Sequence, residues 1–218
     1  GGTYCNLYKA YRCKASAEYD NNKFEDALIN YTIAHNYLMA CDHNSKYWEE
    51  EKSWSLNNMA FCYYNLSKFS LADSIFLKAI ENYKTVKGSA DKGLAKLYSN
   101  LALSLSEELQ FTYSNYLFQA ANSILKKDTL KKDNKKDLVS NYIGLTKNYL
   151  QQDSLQNALF FIRKALSFSN NKQEASYCQT SLYYGICYFK LNEYHKADSI
   201  LKNCLQCYET QPKNNGQN

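Results

Sequence analysis

Histidine and cysteine are the residues of this sequence whose chemistry could support a metal site or a catalytic nucleophile. Cys204 and Cys207 form a C-x-x-C pair, which can hold a metal ion or a redox-active disulfide, but no second pair lies at zinc-finger spacing. The histidines are His35, His43 and His195, and none lies at a spacing from a cysteine or serine that is typical of an activated nucleophile. We therefore predict no catalytic residue, no metal site and no cofactor, and a protein that is not an enzyme.

The chain has eight cysteines, and two interpretations of them stay open. A free cysteine packs like a small apolar residue, which is the interpretation that a helical core favours. The even count would also suit disulfides in a secreted protein. The compartment is therefore left open between the cytoplasm and the periplasmic part of a membrane-tethered protein.

The composition excludes several classes of protein. With 218 residues, 45% hydrophobic content, seven glycines and one proline, the chain is neither disordered nor rich enough in turn residues for an all-β fold. No apolar run approaches the roughly 18 residues of a membrane helix. The net charge is +5, and six lysines lie in the segment Lys126–Lys136. We interpret this run as a solvated loop or helix end; the alternative is a surface that binds nucleic acid or another anion.

Five segments of the sequence repeat one pattern of large and small residues. Each has a large residue at its start, a small one at offset three, a large one at offset seven and a small one at offset ten. These offsets share one face of an α-helix. A second helical pattern precedes each segment, with a small residue nine positions upstream of its start. The segments start at Phe24, Phe69, Phe111, Leu155 and Tyr194.

Short turns are predicted between the two helices of each pair, which makes each pair an αα-hairpin. Four turns carry a residue that favours the N-cap position of the second helix. These residues are Asn22, Ser67, Asp153 and Asn192. The third turn has Leu109 at the same place, so we expect it to be built differently. Glu49, Glu50 and Glu51 are interpreted as the first turn of a helix, where the dipole favours carboxylates.

The repeated pattern resembles the tetratricopeptide repeat, in which a small residue, a tyrosine and an Ala-x-x-x-Phe-x-x-Ala segment recur. The aligned small residues recur every 39 to 45 positions, which is longer than the usual repeat of about 34 residues. This spacing is similar to that of the roughly 42-residue subclass found in kinesin light chains and bacterial peptide-sensing regulators.

The resemblance implies an all-α, right-handed α-solenoid of five helical hairpins within residues 1–208, followed by a disordered tail at 209–218. The five repeats are expected at about 9–41, 53–87, 95–127, 139–170 and 178–208. It also implies a concave groove that binds a protein or peptide and is lined by one face of each first helix. The implied function is the interaction or sensory part of a larger bacterial regulator.

The groove positions of the family fall on aromatic, amide and cationic residues of this chain. Asn58 and Asn100 occupy aligned positions, where the long-repeat subclass bonds the main chain of a peptide with an asparagine ladder; the alternative is that they satisfy neighbouring helices. Trp54 is expected either to anchor the ligand or to pack. The predicted groove comprises Arg12, Ser16, Tyr19, Trp54, Asn57, Asn58, Phe61, Tyr64, Lys96, Asn100, Leu103, Lys147 and Phe189.

The last predicted helix has no capping helix after it in this sequence. Ile200, Leu201, Cys204 and Tyr208 are therefore expected to be partly uncovered. This leads to two hypotheses: the chain is part of something longer, or this end self-associates.

Overall fold

The computed structural model describes residues 2–41, 45–128, 131–169 and 175–209. Within these ranges the chain forms ten α-helices and one short 3-10 turn, and no strand. The helices are α1 (Gly2–Asp20), α2 (Phe24–Met39), α3 (Lys46–Asn65), α4 (Phe69–Lys87), α5 (Lys92–Glu107), α6 (Phe111–Leu125), α7 (Lys132–Gln151), α8 (Leu155–Phe168), α9 (Ala175–Lys190) and α10 (Tyr194–Glu209). The 3-10 turn is Lys126–Asp128. None of the described helices is both long enough and apolar enough to cross a bilayer.

The helices form consecutive antiparallel hairpins that fall into two compact units. Unit 1, Gly1–Ile124, holds the hairpins α1/α2, α3/α4 and α5/α6, and unit 2, Leu125–Asn218, holds α7/α8 and α9/α10. Each first helix begins before the expected start of its repeat; α3, for example, begins at Lys46 where the repeat pattern begins near residue 53. His43 and residues 210–218 of the expected tail lie outside the described residues.

Small residues lie where the two helices of a hairpin touch. Ala15 and Ala27 are completely buried in the first hairpin, as are Ala60 and Ala72 in the second. In the last hairpin a Cβ at Gly185 would lie 2.6 Å from Cδ2 of Leu201, so this position has no room for a side chain. The predicted pattern of small and large residues is therefore what sets the approach of the helices.

The five hairpin turns share one hydrogen-bond arrangement, and the N-cap prediction is wrong. Asn22, Ser67, Leu109, Asp153 and Asn192 all have positive φ, between 54° and 61°. In the first turn the Asn22 amide donates to Tyr19 O and the Lys23 amide to Glu18 O, which is a Schellman motif that ends α1. The other four turns repeat both bonds. These residues therefore terminate the first helix instead of capping the second, and Leu109 turns the chain as the other four residues do.

Four of the cysteines form disulfides and the other four are free thiols, of which Cys13 is exposed. Cys5 is bonded to Cys41 and Cys178 to Cys207, with Cα–Cα distances of 5.3 Å and 5.7 Å. The bond of Cys207 to α9 shows that the C-x-x-C residues are not each other's partners.

The interpretation as small apolar residues holds for three other cysteines. Cys62, Cys187 and Cys204 are buried thiols. Burial raises the pKa of Cys62 to about 12 and that of Cys187 to about 11, so both stay protonated at neutral pH. These two thiols therefore serve packing.

The last described helix is better covered than expected. Cys204 is only 3% exposed and donates its thiol hydrogen to Cys178 O, so the prediction that it is partly uncovered is corrected. Leu201 packs on Gly185 but is only partly buried, as predicted. Leu205 and Tyr208 are 60% and 46% exposed on the same helix. Self-association through this helix stays a prediction.

Substitution of Leu109 should stabilise the protein. Leucine pays about 1–2 kcal/mol to adopt the left-handed conformation, which asparagine adopts more readily. Because Leu109 is 66% exposed, Leu109→Asn loses little packing and should raise the free energy of unfolding by about 1 kcal/mol. Urea denaturation measures the change. The matched control, Leu71→Asn at an exposed position inside α4, should lower stability; an equal effect of both substitutions would contradict the turn geometry.

The two disulfides should stabilise the protein when it is made under oxidising conditions. Peptide mapping without reductant should recover Cys5–Cys41 and Cys178–Cys207 as cross-linked pairs. Since each bond closes a loop of about 30 residues or more, Cys5→Ser should lower the free energy of unfolding by about 2–4 kcal/mol. Cys13→Ser, at an exposed free thiol, is the control and should leave stability unchanged. Other pairings in the map would contradict the cross-links.

Candidate functional site

The first helices of unit 1 are joined side by side through polar side chains. The Tyr8 hydroxyl donates to a Glu51 carboxylate oxygen, which links α1 to α3. Asn100 Nδ2 donates to Asn57 Oδ1 at 2.7 Å, which links α5 to α3. The partners in each bond are separated by 43 residues, close to the length of one repeat. The repeat thus brings equivalent surfaces of α1, α3 and α5 next to each other.

We define the first-helix face as the accessible residues that α1, α3 and α5 carry on these adjoining surfaces. Its members are partly or fully exposed and belong to the predicted groove. They are Arg12, Trp54, Asn58, Phe61, Tyr64, Lys96 and Leu103.

Trp54 is held firmly at the centre of α3. Its indole is half-buried and meets the Tyr83 ring edge-on, with 5.6 Å between centroids. Its Nε1 lies 3.5 Å from Glu50 Oε1, and the Lys96 ammonium lies 5.9 Å from its ring centroid. Contacts to both α4 and α5 fix this ring while part of it stays accessible, as expected of a preorganised anchor.

The charges around Trp54 are unevenly neutralised. Glu50 pairs with Lys87 at 2.7 Å, and Glu51 pairs with Arg12 at 3.4 Å. Lys96 makes no ion pair in the described part of the chain, where its ammonium makes a cation–π contact with the Trp54 ring. A cation beside an aromatic ring is thus left for a ligand to engage.

Burial and neighbouring carboxylates keep the supporting tyrosines protonated. Burial, then the hydrogen bond to Glu51, raises the pKa of Tyr8 above its usual range. The pKa of Tyr83 is also raised, by burial and then by Asp91, whose carboxylate accepts a hydrogen bond of 2.7 Å from the Tyr83 hydroxyl. Although burial alone would raise the pKa of Asp91, the bonds from Tyr83 and the Gly93 amide lower it. These tyrosines therefore act as stable donors that brace the helices.

The asparagines of the predicted ladder are placed differently from one another. Asn57 and Asn100 are 4% and 7% exposed and are bonded to each other, so their amides satisfy neighbouring helices. Asn58 is half-buried, and its Oδ1 lies 3.5 Å from Asn57 Nδ2. Of the aligned residues Asn58 and Asn100, Asn58 is therefore the one whose amide stays accessible.

The other predicted residues of unit 1 lie within this face or elsewhere on α1. Tyr19 accepts a hydrogen bond of 2.8 Å from Asn65 Nδ2, and the Tyr64 hydroxyl lies 3.4 Å from Glu107 Oε1. The Phe61 ring meets the rings of Tyr64 and Phe76 edge-on. Ser16 is exposed on α1.

Two predicted residues belong to unit 2. Lys147 is exposed on α7, with its ammonium 5.3 Å from the Tyr183 ring centroid. Phe189 is 57% exposed on α9 and meets the Tyr194 ring edge-on.

Sequence reasoning missed the acidic residues that organise this face. Glu49, Glu50 and Glu51 were predicted to form the first turn of a helix. Because α3 begins at Lys46, only Glu49 of these three lies in its first turn. Glu50 and Glu51 instead form the bonds to Lys87, Tyr8 and Arg12. The separation of 43 residues between Tyr8 and Glu51, close to one repeat length, is the signal that could have revealed the pair. Among the described residues no group of histidine, cysteine, aspartate and glutamate could hold a metal ion.

No protein-family model matches the chain, and no curated protein matches it. Solved structures, by contrast, do match the chain. BtubC (BKLC) from P. vanneervenii is 14% identical with a TM-score of 0.78, and the match covers 99% of this chain and 86% of that one. The nearly identical TPR-like repeats of a putative kinesin light chain from Podosopora anserina are 13% identical with a TM-score of 0.75, over 94% of this chain and 95% of that one.

A third similar structure is the Rap conjugation gene regulator of the plasmid pLS20, in complex with the Phr* peptide. It is 14% identical with a TM-score of 0.73, and the match covers 93% of this chain and 53% of the regulator, so the chain spans about half the regulator's length. At these identities the likeness shows the fold. The chain is an all-α protein with the helical-repeat fold of TPR-like solenoids, which confirms the predicted fold class.

The Asn57–Asn100 bond should matter for stability, and Asn58 should not. Asn100→Ala leaves a buried carbonyl oxygen of Asn57 without its donor and should lower the free energy of unfolding by about 1–3 kcal/mol. Asn58→Ala, the adjacent control, should stay within about 0.5 kcal/mol of the wild type. Urea denaturation of both variants decides this; equal losses would contradict the assignment of Asn100 to the interior.

Proposed function

We propose that the chain is a non-enzymatic module that binds a peptide or protein segment on the first-helix face of unit 1. The observation that carries the proposal is Trp54, a preorganised aromatic ring flanked by the unpaired cation Lys96. Aromatic and cationic residues in such settings supply most of the binding energy of protein interfaces. Asn58 lies one helical turn from Trp54 and offers an amide for the main chain of a ligand.

The structural comparisons support a peptide as the ligand. The Rap regulator, whose structure resembles this chain, was solved in complex with the Phr* peptide. The proposed role is the interaction or sensory part of a larger regulator.

The disulfides support a place for this module in an oxidising compartment, because such bonds persist there and are rare in the cytosol. The periplasmic part of a membrane-tethered regulator fits this requirement.

The alternative of a nucleic-acid surface at Lys126–Lys136 is not favoured. The described lysines of this run lie in the 3-10 turn, at the N-cap of α7 and in the first turns of α7. The Lys126 ammonium lies 5.8 Å from the Tyr142 ring centroid. Asp133 in the same first turn offsets part of their charge. Part of the charge of this run is therefore neutralised locally, which disfavours a nucleic-acid surface.

Loss of Trp54 should weaken the binding of peptides selected against the wild-type protein. Decapeptides are first selected from a random displayed library against the wild type, and their dissociation constants are measured by fluorescence anisotropy. Trp54→Ala should weaken binding by at least tenfold, since truncation of an interface anchor typically costs about 2 kcal/mol or more. Lys96→Ala and Asn58→Ala should weaken it by smaller factors.

Asn82→Ala, at an exposed position of α4, is the matched control and should not change affinity. Circular dichroism and thermal melting establish that each variant is folded. Selected peptides that bind the folded Trp54→Ala/Lys96→Ala/Asn58→Ala variant as tightly as the wild type would overturn the proposed site.

A further inference from the structure

The second helix of the first hairpin in unit 2 carries positive charge and no negative charge. Helix α8 contains Arg163 and Lys164, and no aspartate or glutamate lies between Leu155 and Phe168. Neither cation makes an ion pair among the described residues. By contrast, the cations Lys196 and Lys202 on α10 pair with Glu193 and Asp198. The charge of α8 is thus left uncompensated by the part of unit 2 that the structure describes.

A solvent-open depression of about 500 Å³ lies along this helix. It is lined by Gln156, Leu159, Phe160, Arg163, Lys164 and Ser167. Leu159 is buried and forms an apolar part of the lining, whereas Phe160 is 51% exposed. The Lys164 ammonium lies 4.3 Å from the Phe160 ring centroid. Accessible aromatic rings and arginine are both enriched in protein interfaces.

The groups around Arg163 hold more hydrogen-bond donors than acceptors. Arg163 Nη2 donates to the Tyr188 hydroxyl at 3.1 Å, and the Tyr184 and Tyr188 hydroxyl oxygens are 3.2 Å apart. The two phenols share one hydrogen bond, so one of their two hydroxyl protons has no acceptor among the described residues. Most of the guanidinium hydrogens of Arg163 likewise have no acceptor there. Hydrogen bonds from Tyr184 and then Arg163 also lower the pKa of Tyr188.

We propose that the α8 depression, defined by its six lining residues, binds an acidic segment of a protein partner, with a carboxylate on Arg163 and an adjacent apolar side chain against Leu159 and Phe160. A carboxylate supplies the acceptors that Arg163 lacks, in the bidentate geometry that a guanidinium favours. The depression is too open to bury most of a small molecule, as ligand pockets do, which favours a partner that brings its own surrounding surface. This surface belongs to unit 2 and is independent of the first-helix face.

A matched pair of peptides tests the proposal. The probe is a fluorescein-labelled, acetylated and amidated peptide of sequence Gly-Glu-Leu-Glu-Phe-Gly, and its control replaces both glutamates by glutamine. Fluorescence anisotropy with the intact chain should give at least tenfold tighter binding of the acidic peptide, in line with the greater strength of charge-assisted hydrogen bonds. Equal affinity of the two peptides would overturn the proposal.

Variants then place the binding on α8. Arg163→Met should weaken binding of the acidic peptide by about tenfold, and Phe160→Ala by several-fold. Lys78→Gln, which removes one exposed positive charge from α4, is the matched control and should leave the affinity unchanged. A loss in Lys78→Gln equal to that in Arg163→Met would show a general charge effect and would overturn the site.

Two further measurements separate this site from other outcomes. Trp54→Ala should bind the peptide normally, whereas it should lose the ligands of the first-helix face. If 3-phenylpropionate alone displaced the peptide and bound as tightly as the peptide does, the site would be one for small carboxylates. That result would overturn the proposal of a protein segment.

Discussion

The close approach of two helices at small residues is the constraint on which the rest of this structure depends. In every hairpin one small residue from each helix occupies the crossing, and the two are twelve positions apart in all five cases, as in Ala15 and Ala27. The same number of residues must therefore leave one helix, turn and enter the next. One turn geometry satisfies this path, and all five turns adopt it. Leu109 accepts an unfavourable backbone conformation because the crossing fixes where its hairpin must turn.

A regular crossing also brings equivalent positions of successive first helices together. Polar contacts between residues 43 positions apart follow from this register, as in Tyr8–Glu51 and Asn57–Asn100. These contacts hold α1, α3 and α5 together from within, so that Trp54 does not need a ligand to be fixed. A rigid anchor loses less conformational entropy on binding, which is the physical advantage of placing a recognition surface on such a scaffold.

The two units use their helices for different chemistry. In unit 1 the accessible Trp54 ring and its neighbour Lys96 lie on first helices, beside acidic residues that pair with other cations. In unit 2 the cations Arg163 and Lys164, which make no ion pair among the described residues, lie on α8, a second helix without carboxylates. A repeat protein can carry two recognition surfaces in this way because each helix of a hairpin exposes the side that its partner does not cover.

The sequence by itself determined the helices, their pairing and the residues at their crossings, because those features depend on local periodicity that one chain displays directly. It did not determine which polar side chains meet. Asn57 and Asn58 are adjacent in sequence and chemically identical, yet one is buried against Asn100 and the other is accessible. Likewise, eight cysteines allow many pairings, and only the folded distances select Cys5 with Cys41 and Cys178 with Cys207. Tertiary structure decided these matters because hydrogen bonds and disulfides depend on distances of a few ångströms between segments far apart in the chain.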